Sequence, residues 1–169
     1  RGQATWMNKG YYGGKQKGWK QPKNSGRPQP KKIDRIAGAL DVQLGDLVKL
    51  KSFRLLAPPR AGDRLRMRVN LEVLKDFSGA LSAMVHVEGM GPNDKKIFLN
   101  RDQRLRPQPR WVAGEKTEIL LSFLVPRAAK DGHVTIRVGL FKPGHRKLKA
   151  TGDGVDPRGR VSMASVRLR

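Results

Sequence analysis

Between residues 64 and 71 the side chains alternate strictly between polar and apolar, and this run restricts the fold more than any other feature of the chain. Successive side chains of a β-strand point to opposite sides, so a period of two residues indicates a strand with one face in water and the other in a core. The run therefore predicts a sheet whose solvent face is strongly basic. Its two sides carry Arg64, Arg66, Arg68 and Asn70 against Leu65, Met67, Val69 and Leu71.

Other segments have the same β-type composition, and Gly, Pro, Asp and Asn residues separate them. No segment shows an apolar stripe of helical period and useful length, although residues 36–40 could form a helical turn or a linker. About seven short strands at this spacing favour a β-sandwich, with a small β-barrel as the alternative. The predicted strands cover about 47–56, 64–74, 80–88, 95–99, 116–125, 133–141 and 160–168.

Residues 111–143 carry a family resemblance. The motifs are Trp111-Val-Ala-Gly114-Glu115, the apolar run from Ile119 to Val125-Pro126, Gly132, and Thr135-Ile-Arg-Val-Gly139-Leu-Phe-Lys-Pro143. This pattern resembles the second half of immunoglobulin-like sandwich domains, which are appended to many carbohydrate-active and cell-surface proteins. The resemblance implies a Trp-x-x-Gly-Glu corner before one strand and a later strand that ends in Gly-Leu-Phe-x-Pro. It supports an all-β fold, an immunoglobulin-like β-sandwich of about seven strands, and it concerns the scaffold rather than an activity.

The charge of the chain limits its partners. Its 169 residues include 36 Lys and Arg against 14 Asp and Glu, a formal net charge of +22. Such a charge attracts polyanions, of which nucleic acid is the first candidate, with anionic membrane and acidic polysaccharide after it. It also repels a second copy of the chain, so we expect no homo-oligomer.

Residues 1–35 differ in kind from the rest. They hold ten of the Lys and Arg residues and one acid, Asp34, which leaves +9 here and +13 in residues 36–169. Residues 1–32 have almost no aliphatic side chains and many Gly, Gln, Asn and Pro, so they cannot bury enough apolar surface to offset the entropy of ordering. The sequence predicts a long, extended and flexible basic arm over 1–35, followed by a β-sandwich domain over 36–169.

The arm combines aromatic side chains with cations. Aromatic rings stack on the bases of single-stranded or looped RNA while Lys and Arg meet phosphates. The alternatives are a basic tail with incidental aromatics, or one that meets acidic protein or lipid surfaces. We predict RNA contacts by Trp6, Lys9, Tyr11, Tyr12, Lys15, Lys17, Trp19, Lys20, Lys23, Arg27, Lys31 and Lys32.

On the domain, the row Arg64, Arg66 and Arg68 is also a predicted RNA contact, and Lys49, Lys51 and Arg54 could extend it. A solvated face is the alternative interpretation. Further cations cluster at 95–110, 142–149 and 158–169, and from these we select Arg104 and Arg106 as RNA contacts. Cations distributed around the surface are typical of a protein embedded in folded RNA.

Several classes of chemistry are excluded or unsupported. The chain has no cysteine, hence no disulfide, thiolate metal site or cysteine nucleophile. The three histidines lie on separate segments without metal-ligand spacing, and no nucleophile elbow or phosphate-binding loop is present. The apolar runs are far shorter than the ~20 residues that span a bilayer. We predict no enzyme activity, no cofactor, no metal and no membrane span.

A second resemblance lies in the arm. The segment Asn8-Lys9-Gly10-Tyr11-Tyr12-Gly13-Gly14-Lys15 resembles a stretch near the mature start of a mitochondrial large-subunit ribosomal protein. The chain begins at Arg1 rather than at a methionine. Removal of a targeting presequence would leave such a start, and so would a sequence that begins at an arbitrary boundary. The resemblance implies a structural constituent of the ribosome, with ribosomal RNA and neighbouring ribosomal proteins as partners and the mitochondrial matrix as location.

The alternative function is a carbohydrate-associated or cell-surface β-sandwich module that binds acidic glycan. A sugar-binding module would normally expose aromatic side chains on its domain. Here most of the aromatic residues of the domain occupy apolar strand positions and are expected in the core, which favours RNA. They are Phe53, Phe77, Phe98, Trp111, Phe123 and Phe141.

Overall fold

A computed structural model describes residues 34–90, 96–105, 110–142 and 147–169, with the backbone alone at residues 90 and 96–98. This part of the chain contains nine strands and one 3-10 helical turn, Arg127–Ala129, and it contains no helix with the length and apolar character of a membrane span. The strands are β1 Ala37–Leu44, β2 Val48–Leu55, β3 Arg64–Val73, β4 Ser82–Met90, β5 Lys96–Arg104, β6 Lys116–Leu124, β7 His133–Phe141, β8 Ala150–Gly152 and β9 Val161–Arg167.

The strands form two antiparallel sheets. One sheet has the order β6-β3-β2-β1-β8 and the other has the order β5-β4-β7-β9. The pairing of β3 with β6 corresponds to that of strands B and E in immunoglobulin domains, and the second sheet follows their C′-C-F-G order. The predicted all-β, immunoglobulin-like sandwich is therefore confirmed, and the described residues form two separate sheets rather than the small barrel considered as the alternative.

The core lies between the inward faces of the two sheets. In β3 the exposure of side chains alternates at every position from Arg64 to Leu71, as predicted. The inward residues of this strand share one hydrophobic core with those of β4 and β7, such as Val85 and Ile136, both at most 1% exposed. Each buried side chain of this size stabilises the fold by roughly 1.5–3 kcal/mol relative to an exposed one.

The predicted Trp-x-x-Gly-Glu corner leads into β6. The indole of Trp111 is buried, stacks on Phe77 with ring centroids 5.3 Å apart, and donates its Nε1 proton to the Gly79 carbonyl at 2.9 Å. The backbone then turns at Gly114, whose φ of 86° lies in the left-handed region that favours glycine. The corner thus fixes where β6 begins.

The structure differs from the sequence predictions in four places. Residues 36–40 are neither a helical turn nor a linker, since they enter β1, which pairs with β2 and β8. The three-residue strand β8 was not predicted, and β5 continues to Arg104 rather than to residue 99. Two residues of the predicted arm already belong to the sandwich: Arg35 pairs with Ser165 through two backbone hydrogen bonds of 2.6 and 3.0 Å, and Asp34 accepts a hydrogen bond from the Arg167 amide.

Candidate nucleic-acid interface

The outward side of the five-stranded sheet forms a basic surface, which we call the basic face. Its carboxylates are Asp41, Glu72 and Glu118. Its seven cationic side chains outnumber these three acids and come from three adjacent strands: Lys49, Lys51 and Arg54 of β2, Arg64, Arg66 and Arg68 of β3, and Lys116 of β6.

A β-bulge in β2 brings a further arginine onto this face. The register between β2 and β3 shifts between Leu50 and Ser52, so that Lys51 is an extra residue in β2. Because each residue step turns a side chain to the other side of the sheet, the extra residue changes the phase of the strand after it. Arg54 therefore points outward and lies directly opposite Arg68.

Part of the positive charge on the basic face is compensated by ion pairs. Arg68 Nε lies 3.3 Å from Glu118 Oε1, and Lys49 Nζ lies 2.8 Å from Asp41 Oδ1. The hydrogen bond between Lys49 and Asp41 lowers the pKa of the carboxyl and raises the pKa of the amine, so this pair stays ionised.

Other cations of the basic face lack such compensation. Arg64 donates a hydrogen bond of 3.2 Å to the Ser122 hydroxyl, which is neutral. Arg54 and Arg66 form no ion pair with any residue in the described ranges. Direct cross-strand neighbours have Cβ atoms ~5 Å apart, and like charges at that distance destabilise a sheet. The pair Arg54 and Arg68 has this arrangement, so an anion bound between them would be stabilising.

Two hollows flank the middle of the basic face. The Asn70 side chain donates a hydrogen bond of 2.9 Å to the Ser52 hydroxyl and separates them. A hollow of about 650 Å³ is lined by Lys51, Lys116 and Glu118 among others, and one of about 410 Å³ is lined by Arg54 and Arg68 among others. Each hollow is large enough for parts of a nucleotide and has cations at its rim.

The sequence-predicted site residues fall into three groups. Arg64, Arg66 and Arg68 share one exposed strand face as predicted. Arg104 is exposed but lies on β5 opposite Ser82, on the outward side of the other sheet, so the structure does not bring it to the basic face. Outside the described residues lie Arg106 and the whole arm set: Trp6, Lys9, Tyr11, Tyr12, Lys15, Lys17, Trp19, Lys20, Lys23, Arg27, Lys31 and Lys32.

Sequence reasoning missed Lys116 as part of the basic face. The apolar run that follows it hides the alternation of β6, in which Lys116, Glu118 and Leu120 are exposed while Ile119 and Leu121 are buried. The signal was present in the period of two, but two outward positions of β6 are leucines, so the strand resembles one that is buried on both sides.

The sequence groups Arg160 with surface cations, and this prediction is wrong. Only 5% of the residue is exposed, because its guanidinium forms ion pairs with Glu88 and with Asp156, the latter at 2.7 Å. Arg137 also contacts Glu88, at 3.2 Å. Two arginines and two carboxylates thus balance each other on the outward side of the four-stranded sheet, where this cluster stabilises the fold rather than binds an external anion.

His86 belongs to the same buried cluster. Its Nδ1 lies 2.9 Å from Arg160 Nη1, and since a guanidinium can only donate, Nδ1 accepts and the neutral ring carries its proton on Nε2. Burial and the nearby Arg160 charge both lower the pKa of His86. The ring is therefore neutral at physiological pH, with a structural role in this cluster.

No protein-family model matches the chain, and no curated protein sequence matches it. Among solved structures it is similar to Spo0M, a sporulation control protein from Bacillus subtilis, with 12% identity and a TM-score of 0.41 over 70% of this chain and 49% of that one. It is also similar to the putative ApaA protein from Bordetella pertussis, with 11% identity and a TM-score of 0.30 over 78% of this chain and 96% of that one. The chain spans about half the length of the Spo0M structure.

Proposed function

We propose that this protein is an RNA-binding structural component of a ribonucleoprotein particle, with the basic face as a contact to RNA phosphates. The observation that carries the proposal is the placement of Arg54 directly opposite Arg68, with Arg66 beside them and no ion pair for Arg54 or Arg66 within the described residues. Such a cluster raises the energy of the free protein, and phosphates bound between the guanidinium groups offset that cost.

RNA fits this surface better than a glycan does. Sugar-binding surfaces usually present aromatic rings, but Phe53, Trp111 and Phe123 are buried in the core, and Phe77 and Phe141 are half-buried. Four further aromatic residues lie among the cations of residues 1–35, a composition suited to base stacking together with phosphate contacts.

Within this class, we propose the ribosome, of mitochondrial type, as the particle. Support comes from the resemblance of residues 8–15 and from cations on more than one surface of the domain. The partners would be ribosomal RNA and neighbouring ribosomal proteins, and the location would be the mitochondrial matrix. The role is to neutralise phosphate repulsion where RNA segments approach each other, and it requires neither catalysis nor a cofactor.

The proposal is tested by reversing charge on the basic face of the full chain. The R54E/R66E variant breaks no ion pair within the described part of the chain, so its fold is expected to be intact. Its matched control, R60E/K130E, makes the same change of charge at two exposed loop positions outside both sheets. Binding to structured ribosomal RNA is measured over a range of salt concentrations.

We expect R54E/R66E to weaken binding at least ten-fold and to reduce the slope of log K against log salt by roughly 1.4–1.8, because each of the two phosphates that are no longer neutralised lowers it by roughly 0.7–0.9. The control is expected to change affinity much less. Equal reductions in affinity for both variants would show that net charge alone matters and that the basic face does not bind the RNA.

The particle is tested with the native protein in a cell extract. The ribosomal proposal predicts co-sedimentation with ribosomal subunits and release by ribonuclease. If the protein instead co-elutes with an acidic glycan and ribonuclease has no effect, the alternative function is correct.

A further inference from the structure

We infer that the ligand of the basic face is single-stranded RNA, which lies along β3 with its phosphates on Arg64, Arg66 and Arg68 and its bases over the exposed leucines of β6. This inference rests on the proposed function and specifies the form of RNA. We call the three arginines together with Leu120 and Leu124 the track.

The arginine row has the geometry of a linear polyanion site. Side chains two positions apart on one strand are ~6.8 Å apart, so Arg64, Arg66 and Arg68 extend over about 14 Å. That spacing is comparable to the distance between successive phosphates of an extended nucleic-acid strand. Each guanidinium can donate two parallel hydrogen bonds to one phosphate, which a linear chain of phosphates can satisfy in succession.

An apolar stripe runs beside this row. Leu120 and Leu124 of β6 are 49% and 53% exposed, and they are the direct cross-strand partners of Arg68 and Arg64. Exposed leucines are unremarkable singly, but two on the same strand face beside a cationic row form an amphipathic surface. A ligand that covers both stripes must have anionic groups and apolar surfaces side by side.

A cleft extends the apolar stripe at the seam between the two sheets. It has a volume of about 350 Å³, and its lining includes Leu124 and Phe123 as well as Arg64, Arg101 and the carboxylate of Asp102. This volume lies at the lower end of the range for small-ligand sites and suits a flat heterocycle. An unpaired base next to a phosphate on Arg64 could enter it, with Arg101 as a second cation at the rim.

Single-stranded RNA satisfies these features better than a duplex or a membrane does. A duplex turns its bases inward and would leave the leucines in contact with ribose and water. A planar anionic membrane would contact the whole basic face and would be repelled by the carboxylates of Asp41, Glu72 and Glu118. Asp41 and Glu72 lie on the part of the sheet beyond Arg68, away from Arg64 and Leu124, so a linear ligand confined to the track can avoid them. Glu118 contacts Arg68 at one end of the track, where a bound phosphate competes with this carboxylate for the guanidinium.

The experiment compares two RNA probes on the full chain. One is an unstructured RNA of about 12 nucleotides, within the usual site size of single-strand-binding domains, and the other is the same RNA annealed to its complement. The variant L120T/L124T removes the apolar stripe while threonine keeps strand propensity. Its control is I36T/V112T, which changes two equally exposed apolar residues outside the track. Residues 1–33 are present in every protein, so differences between variants report on the track.

We expect L120T/L124T to bind the single strand about ten-fold more weakly and the duplex unchanged, because only unpaired bases pack on the apolar stripe. The control should leave both affinities unchanged.

If L120T/L124T weakens neither probe, or both equally, the inference is wrong while RNA binding stands. If the wild type binds neither probe more tightly than R54E/R66E does, the proposed function itself fails. If phosphatidylglycerol vesicles displace the single strand from wild type and bind L120T/L124T poorly, the track is a lipid-binding surface and the inference is overturned.

Discussion

At the scale of single residues, Arg160 shows how a chain with excess positive charge can still bury a cation. Its guanidinium is surrounded by Glu88 and Asp156, and the Asp156 carboxylate also accepts the backbone N–H groups of Arg158 and Arg160 at 3.0 and 2.8 Å. This arrangement holds the turn before β9 against the outward side of β4. Removing one partner of a buried ion cluster leaves the others uncompensated.

We therefore expect Arg160→Met to lower the free energy of unfolding by about 3–5 kcal/mol, as is usual when one member of a buried ion pair is removed. Arg137 keeps its ion pair with Glu88 but lies 3.9 Å from Asp156, so it compensates only in part. Urea unfolding measures the change, with the exposed Arg167→Met as control. A decrease in Arg160→Met no larger than in the control would mean that the cluster does not stabilise the fold.

His86 makes the stability of the domain depend on pH. Its pKa is lowered in the folded protein, so between that value and the ordinary 6.5 the unfolded chain binds more protons than the folded one. Stability is therefore full above pH 7 and falls as the pH drops through 6.5. The pKa of Glu88 is lowered by its hydrogen bond with Arg160. For Asp156, burial raises the pKa, but the hydrogen bonds from Arg160 lower it by more, so the net pKa is lowered. Since the pKa values of Glu88 and Asp156 are both lowered in the folded protein, their protonation causes a further loss of stability below about pH 4.5.

The His86→Gln variant separates these two ranges, since a glutamine can accept the Arg160 hydrogen bond but does not titrate. Unfolding free energies measured from pH 7.5 to pH 3.5 should lose their slope between pH 7 and 5.5 in this variant and keep it below pH 4.5. A wild-type protein equally stable at pH 7.5 and 5.5 would contradict the assignment.

At the scale of elements, the side chain of Gln103 joins the two sheets at their open edges. Its Nε2 donates to the Leu120 carbonyl at 3.1 Å, and its Oε1 accepts from the Ser122 amide at 2.9 Å. The side-chain amide of Gln103 thus pairs with the β6 backbone in the way that a peptide group of a neighbouring strand would. Because β5 and β6 are both edge strands, this pairing occupies part of an edge that could otherwise bind another chain.

We expect Gln103→Ala to lower the free energy of unfolding by about 1–3 kcal/mol, because it leaves a partly buried amide and a carbonyl without their partner. Gln43→Ala is the control, since the one hydrogen bond of that exposed side chain within the described residues is to the nearby Gly45 carbonyl. Thermal unfolding of the two variants provides the comparison. A Gln103→Ala protein as stable as the control would show that water replaces the two hydrogen bonds at no cost.

Strands whose pattern is local could be predicted from the sequence, and strands that depend on distant pairing could not. The period of two in β3 identified where the strand begins and which of its sides is basic. In β2 the apolar spacing from Val48 and Leu50 to Phe53 and Leu55 contains one extra residue, which is the sequence signal of the bulge. The first half of β1, Ala37–Ala39, has no such pattern and becomes a strand only by pairing with β2.

The same distinction applies to the candidate site. The row on β3 was predictable because one strand carries all of it. The placement of Arg54 opposite Arg68 depends on register, and the burial of Arg160 depends on a turn that folds against a strand over 70 residues earlier in the chain. Neither relation is visible in composition or local spacing.

At the scale of the whole molecule, charge is divided between two parts. The chain separates into a unit of residues 1–32 and a unit of residues 33–169. Residues 1–32 hold nine of the 36 Lys and Arg residues and no acid, so the second unit keeps 27 cations and all 14 acids, a net +13. The core of the sandwich is built from residues of the second unit, from Val42 to Leu168.

Deletion of residues 1–32 should therefore leave the sandwich folded, with an unchanged unfolding midpoint, and weaken its binding to ribosomal RNA. The deletion removes nine cations, and the plot of log K against log salt flattens by roughly 0.7–0.9 for each phosphate that they no longer neutralise. Because the basic face is retained, the truncated protein should keep a residual salt dependence, which R54E/R66E then reduces further. An unchanged salt slope after the deletion would show that the N-terminal cations do not bind RNA phosphates. A slope reduced to zero by the deletion alone would show that the basic face does not.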